Sequence, residues 1–174
     1  IQKLNSNIAK EFHNKNHLQG YVNSSINLGL YKDGILVSVM SFSKSRFNNK
    51  FKYEITRFSN LLDHSVVGGA SKLLSHFNKV YNNPSLISYA DLRFGEGKLY
   101  EKIGFTFLNN NPPNYFYFDK ETKKIMSRIN FQKHKLNKIL TNYDPSLSEK
   151  ENMKNNKYLI IYDCGNYAYG INSE

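Results

Sequence analysis

Apolar residues recur along this chain with two different periods. Leu4, Ile8 and Phe12 repeat every four residues, which predicts an opening helix over 5–16, stopped by Gly20. Two strands follow, 25–32 and 35–43, joined by Asp33-Gly34, a two-residue hairpin signal. The second has Ile35, Val37 and Val39 on one face and Leu36, Met40 and Phe42 on the other. A strand apolar on both faces belongs inside a sheet covered from both sides. A basic loop over 44–50 leads to a third strand, 51–58. Val67, Ala70, Leu74, Phe77 and Tyr81 then recur at spacings of three and four, predicting a helix with one broad apolar face that Pro84 ends. A short strand over 86–90, a brief helix over 98–103 closed by Gly104, and strands over 105–108 and 114–118 complete the pattern.

Beyond residue 119 the character changes. A basic helix over 130–140, an acid-started helix over 148–155 and a strand over 158–162 are predicted, with no internal repeat. The order of elements predicts a mixed α/β (α+β) domain over 1–118, a mostly antiparallel sheet flanked by helices. A small basic helix and β appendage over 119–174 would pack on it.

Composition narrows the possibilities. The chain has 174 residues, 40% of them apolar, including 13 Tyr and 12 Phe, which suits a packed domain and not a disordered chain. No apolar run approaches the roughly 20 residues of a membrane-spanning helix. The single cysteine, Cys164, rules out an internal disulfide and a cysteine-cluster zinc site, and is expected to pack as a small hydrophobe. The first sixteen residues lack an apolar leader, so an intracellular setting is expected. The chain opens on Ile1 instead of Met, as a piece of a longer polypeptide would.

Charge points to a partner. Lys and Arg number 24 against 14 acids, a formal +10. Two stretches hold the excess: 120–140 has seven cations against Glu121, and 41–60 has five against Glu54. An AT-rich genome would also enrich Lys and Asn (24 Asn here), but it would not cluster the cations. DNA is the expected partner, with Lys44, Arg46, Arg57, Arg93, Arg128, Lys133 and Lys135 as phosphate contacts.

Several groups could carry chemistry, each beside a plainer reading. Val67, Gly68, Gly69 and Ala70 open the long helix, where free amides and the helix dipole suit a phosphate; the plainer reading is a packing glycine pair. Asp91, at the end of its strand, could orient an amine or act as base, and Tyr100 could supply a proton; otherwise Asp91 caps a turn and Tyr100 packs. Glu54 and Arg57, three apart in one strand, face opposite ways unless a bulge intervenes. Asp91, Glu96 and Lys98 follow the acid…acid-x-lysine order of magnesium-dependent nucleases, although Gly95 and Gly97 put Glu96 in a loop. The five histidines lack zinc spacing and are expected at the surface or its boundary, His13 and His17 sharing a helix face. No metal site is expected from ligand spacing. Tyr115, Phe116 and Tyr117 are candidates to stack on a base.

Three resemblances build on these residues. The runs Val67–Leu74, Ser88–Asp91 and Leu99–Phe105 resemble the GNAT fold of N-acetyltransferases. That likeness implies a glycine turn holding the pyrophosphate of an acyl-CoA-like donor, although the family's Gln or Arg three residues before the first glycine is here Ser65. Glu54–Arg57, Ser88–Asp91 and Tyr100 resemble the Mom-type phage DNA-modification proteins, which are GNAT-like and alter the adenine amino group in DNA. This implies Asp91, Tyr100 and Glu54 as catalytic groups and an extruded base as substrate. Across residues 17–170, the motifs Gly29-Leu30, Leu36–Phe42, Gly68–Leu74, Ser88–Arg93, Pro113–Phe118, Ser127–Leu136 and Ile161–Asn166 resemble a region of phage homing endonucleases of the Hef-like kind. The reading preferred from sequence is therefore a DNA-binding part of a phage homing endonuclease, in the cytoplasm of an infected bacterial host. A Mom-like transferase is the alternative, and a magnesium-dependent nuclease using Asp91, Glu96 and Lys98 the second.

Overall fold

The computed structural model describes residues 1–172. The chain is mixed α+β and divides into two compact units. The first holds residues 1–90, 94–110 and the C-terminal end from Tyr167; the second holds 91–93 and 111–166.

The first unit is built on a seven-stranded sheet. In chain order its strands are β1 (Gln2–Lys3), β2 (Ile26–Lys32), β3 (Ile35–Lys44), β4 (Tyr53–Asn60), β5 (Leu86–Asp91), β6 (Thr106–Asn111) and β10 (Asn166–Ile171). Their order across the sheet is β1-β2-β3-β4-β5-β10-β6. The strands β1 to β4 run antiparallel, and β4 pairs with β5 in parallel. The crossover between β4 and β5 is helix α2 (Gly69–Tyr81), as parallel neighbours require.

Helix α1 (Ser6–Asn16) starts at Asn5, whose Oδ1 accepts the Ile8 amide at 2.9 Å. Its Ala9 and Phe12 pack with Leu4 and Val39 on one face of the sheet. On the other face α2 brings Leu73, Leu74 and Phe77 against Met40, Phe42, Ile55 and Leu86, with Phe42 and Phe77 stacked at 3.8 Å. β3 is thus buried from both sides, as its composition predicts. One detail differs: a bulge at Val37, between the Leu30–Ser38 and Tyr31–Leu36 pairs, turns Leu36 onto the α1 face. Val67 also departs from its expected place on the apolar face of α2. The helix begins two residues later, and Val67 is 87% exposed.

His13 is not at the surface. It is wholly buried under α1, and its ring joins a closed polar chain. Ser41 Oγ donates to Asn27 Oδ1 at 2.7 Å, so His13 Nε2 must donate to Ser41 (2.9 Å) and Nδ1 must accept from Ser59 Oγ (2.8 Å). Burial, with His17 and Arg57 adding to it, pushes the His13 pKa down to about 4, so the ring is neutral. Two serines on adjacent strands satisfy it, a pairing that helix periodicity does not reveal.

The second unit has a three-stranded antiparallel sheet. Its strands are β7 (Tyr115–Asp119), β8 (Lys124–Ser127) and β9 (Tyr158–Tyr162), in the order β8-β7-β9. The expected basic helix is split: Arg128–Phe131 is a 3-10 turn, and α4 covers only Lys133–Ile139. Helix α5 (Glu149–Asn155) carries a full capping box between Ser148 and Glu151. Tyr117, Phe131, Leu136, Leu140 and Met153 form a separate core. Cys164 is exposed and does not pack as a small hydrophobe. No helix among the described residues is long and apolar enough to cross a membrane.

Candidate functional site

The parallel pair β4 and β5 places most of the first unit's candidates. Its ladder covers only Tyr53–Leu86 and Glu54–Ile87; beyond it the strands part, bridged by the Ser88 hydroxyl to the Ile55 carbonyl at 3.2 Å. In a β-α-β unit the carboxyl ends of parallel strands and the head of the connecting helix lie together, the usual place for a ligand.

At the head of α2, Gly68 has φ +71, and a Cβ there would meet nothing within 4 Å. No side chain caps the helix; the Gly69 amide donates to the Val66 carbonyl at 3.2 Å, while the helix head beside it is open to an anion. Gly69 is tighter. A Cβ would lie 3.0 Å from Val66 Cγ1 and 3.2 Å from Ser38 Oγ, so the glycine pair also serves packing. The packing reading thus holds for Gly69, and Gly68 leaves open space.

Glu54 and Arg57 come to the same sheet face. Arg57 pairs with Ser41 and Ile55 with Phe42, so Thr56 is the extra residue of a bulge. Glu54 is 2% exposed and holds Arg46 through two bonds, 2.5 Å from Nη2 and 3.3 Å from Nε, while the Arg46 amide also donates to it at 3.3 Å. This pairing raises the Arg46 pKa further. Arg57 donates through Nε to the Gly20 carbonyl and through Nη1 to that of Thr56, both at 2.8 Å.

Tyr100, on α3 (Lys98–Lys102), packs its ring near Phe105 and Tyr169. Burial pushes its pKa up, the Ser88 hydroxyl and Arg57 pull it down, and Glu54 adds to the rise. It is a neutral phenol at pH 7 and has a proton to give. Asp91 belongs to the second unit, where Arg93 grips its carboxylate through Nε and Nη2 at 2.6–3.1 Å. Glu96 and Lys98 stand largely exposed with 3.8 Å between them. Among the described residues no three His, Cys, Asp or Glu side chains gather in a metal-binding group.

Of the seven expected phosphate contacts, Arg46 and Arg93 are in ion pairs, and Lys135 Nζ donates to the Ile129 carbonyl at 3.0 Å. Lys44, Arg128 and Lys133 are exposed. Tyr117 is fully buried with its hydroxyl on Glu149, so it cannot stack on a base. Sequence reasoning missed Lys150 and Tyr162. The Ser148-x-x-Glu151 spacing was their available signal, because it fixes Lys150 in the first turn of a helix.

Comparison with known families adds one finding: residues 1–168 match the model of the Mom protein family. The chain belongs to the Mom protein family. No curated protein matches it. The Mom match spans residues of both compact units. It favours the DNA-modification alternative over the homing-endonuclease and nuclease readings.

Proposed function

We propose that this Mom-family chain is a DNA-modifying transferase that alters the adenine amino group, using a donor with an anionic, acyl-CoA-like head. The observation that carries this reading is the parting of β4 and β5 beside an uncapped helix whose first glycine is left-handed and open. The family match supports DNA as the substrate.

The amides of Gly68 and Ala70 suit the donor's phosphates, with the Gly69 amide holding the turn through the Val66 carbonyl; the open space at Gly68 and the missing side-chain cap allow that fit. The donor supplies the transferred group. The chain's own residues manage the protons. Nitrogen–carbon bond formation at an adenine amine would break the donor's acyl–sulfur bond; the amine would lose one proton to solvent, and the departing thiolate would take one up. Tyr100, kept neutral by burial, is the proposed source of the second. Asp91 is proposed to orient the amine, for which its grip by Arg93 must loosen or be shared. Glu54 is proposed to hold Arg46 in place, because both its oxygens are occupied by that guanidinium.

Incubating the full chain with duplex DNA and bacterial extract, followed by mass analysis of the nucleosides, tests the reading. A mass gain confined to deoxyadenosine is expected. It should disappear in Tyr100→Phe and Asp91→Asn and fall strongly in Gly68→Asp, which sets a carboxylate against the phosphates. Intact DNA without added mass, or shortened DNA with magnesium alone, would overturn it.

A further inference from the structure

The second compact unit holds a group of cations and tyrosines that the modification chemistry does not use. Tyr115 on β7 lies opposite Tyr162 on β9, their rings 5.9 Å apart. The first turn of α5, fixed by its capping box, brings Glu149 under both central-strand phenols, accepting from Tyr115 at 3.1 Å and from Tyr117 at 2.9 Å. The Tyr115 ring is thereby held, and two cations rest over it. Arg128 Cζ is 4.6 Å from its centroid and Lys150 Nζ 4.5 Å. Lys150 also lies 5.8 Å from the Tyr162 ring and 3.4 Å from its hydroxyl. Arg128 is set by its turn: Ser127 Oγ accepts the Ile129 amide, and Lys135 clasps the Ile129 carbonyl.

Both cations are exposed, and neither is in an ion pair with a carboxylate among the described residues. Glu149, at the start of the same helix, has its Oε1 on the two phenols. Two long side chains are thus placed over a ring without a carboxylate in ion-pair contact. An ordered pair of cations without a counter-ion favours an anionic partner that presents charges at close intervals. Their distances to one ring put the two charges no more than about 9 Å apart. Each strand of duplex DNA carries a charge every ~3.4 Å of helix axis, so the pair spans two or three successive phosphates.

We propose that Arg128 and Lys150, braced on Tyr115, form a clamp for the sugar-phosphate strand, separate from the groups that perform the transfer. This rests on the reading of DNA as the substrate. The rings serve as braces, since the cations occupy the space over Tyr115 that a stacking base would need.

The full chain and its variants are titrated with a fluorescent DNA duplex over a range of salt concentrations, with circular dichroism to confirm folding. Every phosphate that the protein no longer neutralises should make the slope of log K against log salt shallower by about 0.9. Arg128→Gln and Lys150→Gln should each show this, and the double variant about twice as much. Lys150→Arg should keep the slope, and Lys79→Gln, on α2, should leave it unchanged. The double variant should modify DNA with a raised KM and an unaltered kcat. A folded double variant with the parent slope, when the parent binds and modifies DNA, overturns the clamp alone. A parent chain that binds no DNA overturns the substrate reading beneath it. Equal binding of polyglutamate and DNA through these two residues overturns the assignment to nucleic acid.

Discussion

Acid should destabilise the fold from below pH 6.5, before most carboxylates titrate, because His13 is buried in its neutral form. Both ring nitrogens are committed, Nε2 as donor to Ser41 and Nδ1 as acceptor from Ser59. A proton on Nδ1 turns that acceptor into a donor facing a hydroxyl, in a buried place where the charges that bear on the ring, His17 and Arg57, also disfavour it. The pKa of about 4 compares with an ordinary value of 6.5. A folded pKa below the unfolded one means the unfolded chain binds the proton first, so stability is complete above pH 6.5 and falls as pH drops toward 4. The linkage integral between these values comes to about 2 kcal/mol lost at pH 5 and about 3 kcal/mol below pH 4. Urea unfolding at pH 8 and pH 5, followed by tryptophan-free probes such as tyrosine fluorescence or circular dichroism, measures it. His17 is shifted in the same direction by burial and by Arg57, so the difference between the parent and His13→Leu isolates the His13 contribution. The variant should be less stable than the parent at pH 8 yet lose about 2 kcal/mol less on going to pH 5. Equal acid losses in parent and variant would refute the reasoning.

Three further substitutions probe separate parts of the fold. Gly68→Ala should cost about 1 kcal/mol in urea unfolding, from the positive φ alone, since no neighbour obstructs the methyl group; Gly68→Asn should cost less. Ser148→Ala should remove about 1 kcal/mol and speed amide exchange in the first turn of α5, because the Glu151 amide loses its cap. Glu54→Gln should destabilise by about 1–2 kcal/mol at pH 7. This is less than a wholly buried pair would lose, because Arg46 is 46% exposed and can rehydrate.

The parts of the fold that could be read in advance are those that local periodicity encodes. α2 announces itself by its apolar spacing, and β3 by being apolar on both faces. The strand β10 escaped, since Asn166–Ile171 mixes polar, aromatic and glycine residues. It is recognisable as a strand only from its neighbours β5 and β6, which lie about 60 to 80 residues earlier in sequence. Bulges escaped as well. One extra residue at Val37 moves Leu36 to the other face, and one at Thr56 brings Glu54 and Arg57 together. Neither residue is a glycine, and each bulge is stabilised by the partner strand, so strict alternation misplaces a side chain on each occasion.

The candidate site divides along the same line. The geometry of the glycine turn was legible because a left-handed residue at a helix start leaves a mark in sequence. The cations were not, because a side chain's role depends on what lies beside it. Arg46 and Arg93 looked equivalent to Arg128 in the sequence, yet each of the first two neutralises a carboxylate. Lys150 drew no attention, being set between two glutamates, although Glu149 faces two phenols and Glu151 its own cap, and neither is in an ion pair with the lysine. Counting charges along the chain therefore finds the basic segments and does not separate paired cations from unpaired ones. What decides them is which acids are already spoken for, and that is settled by folding.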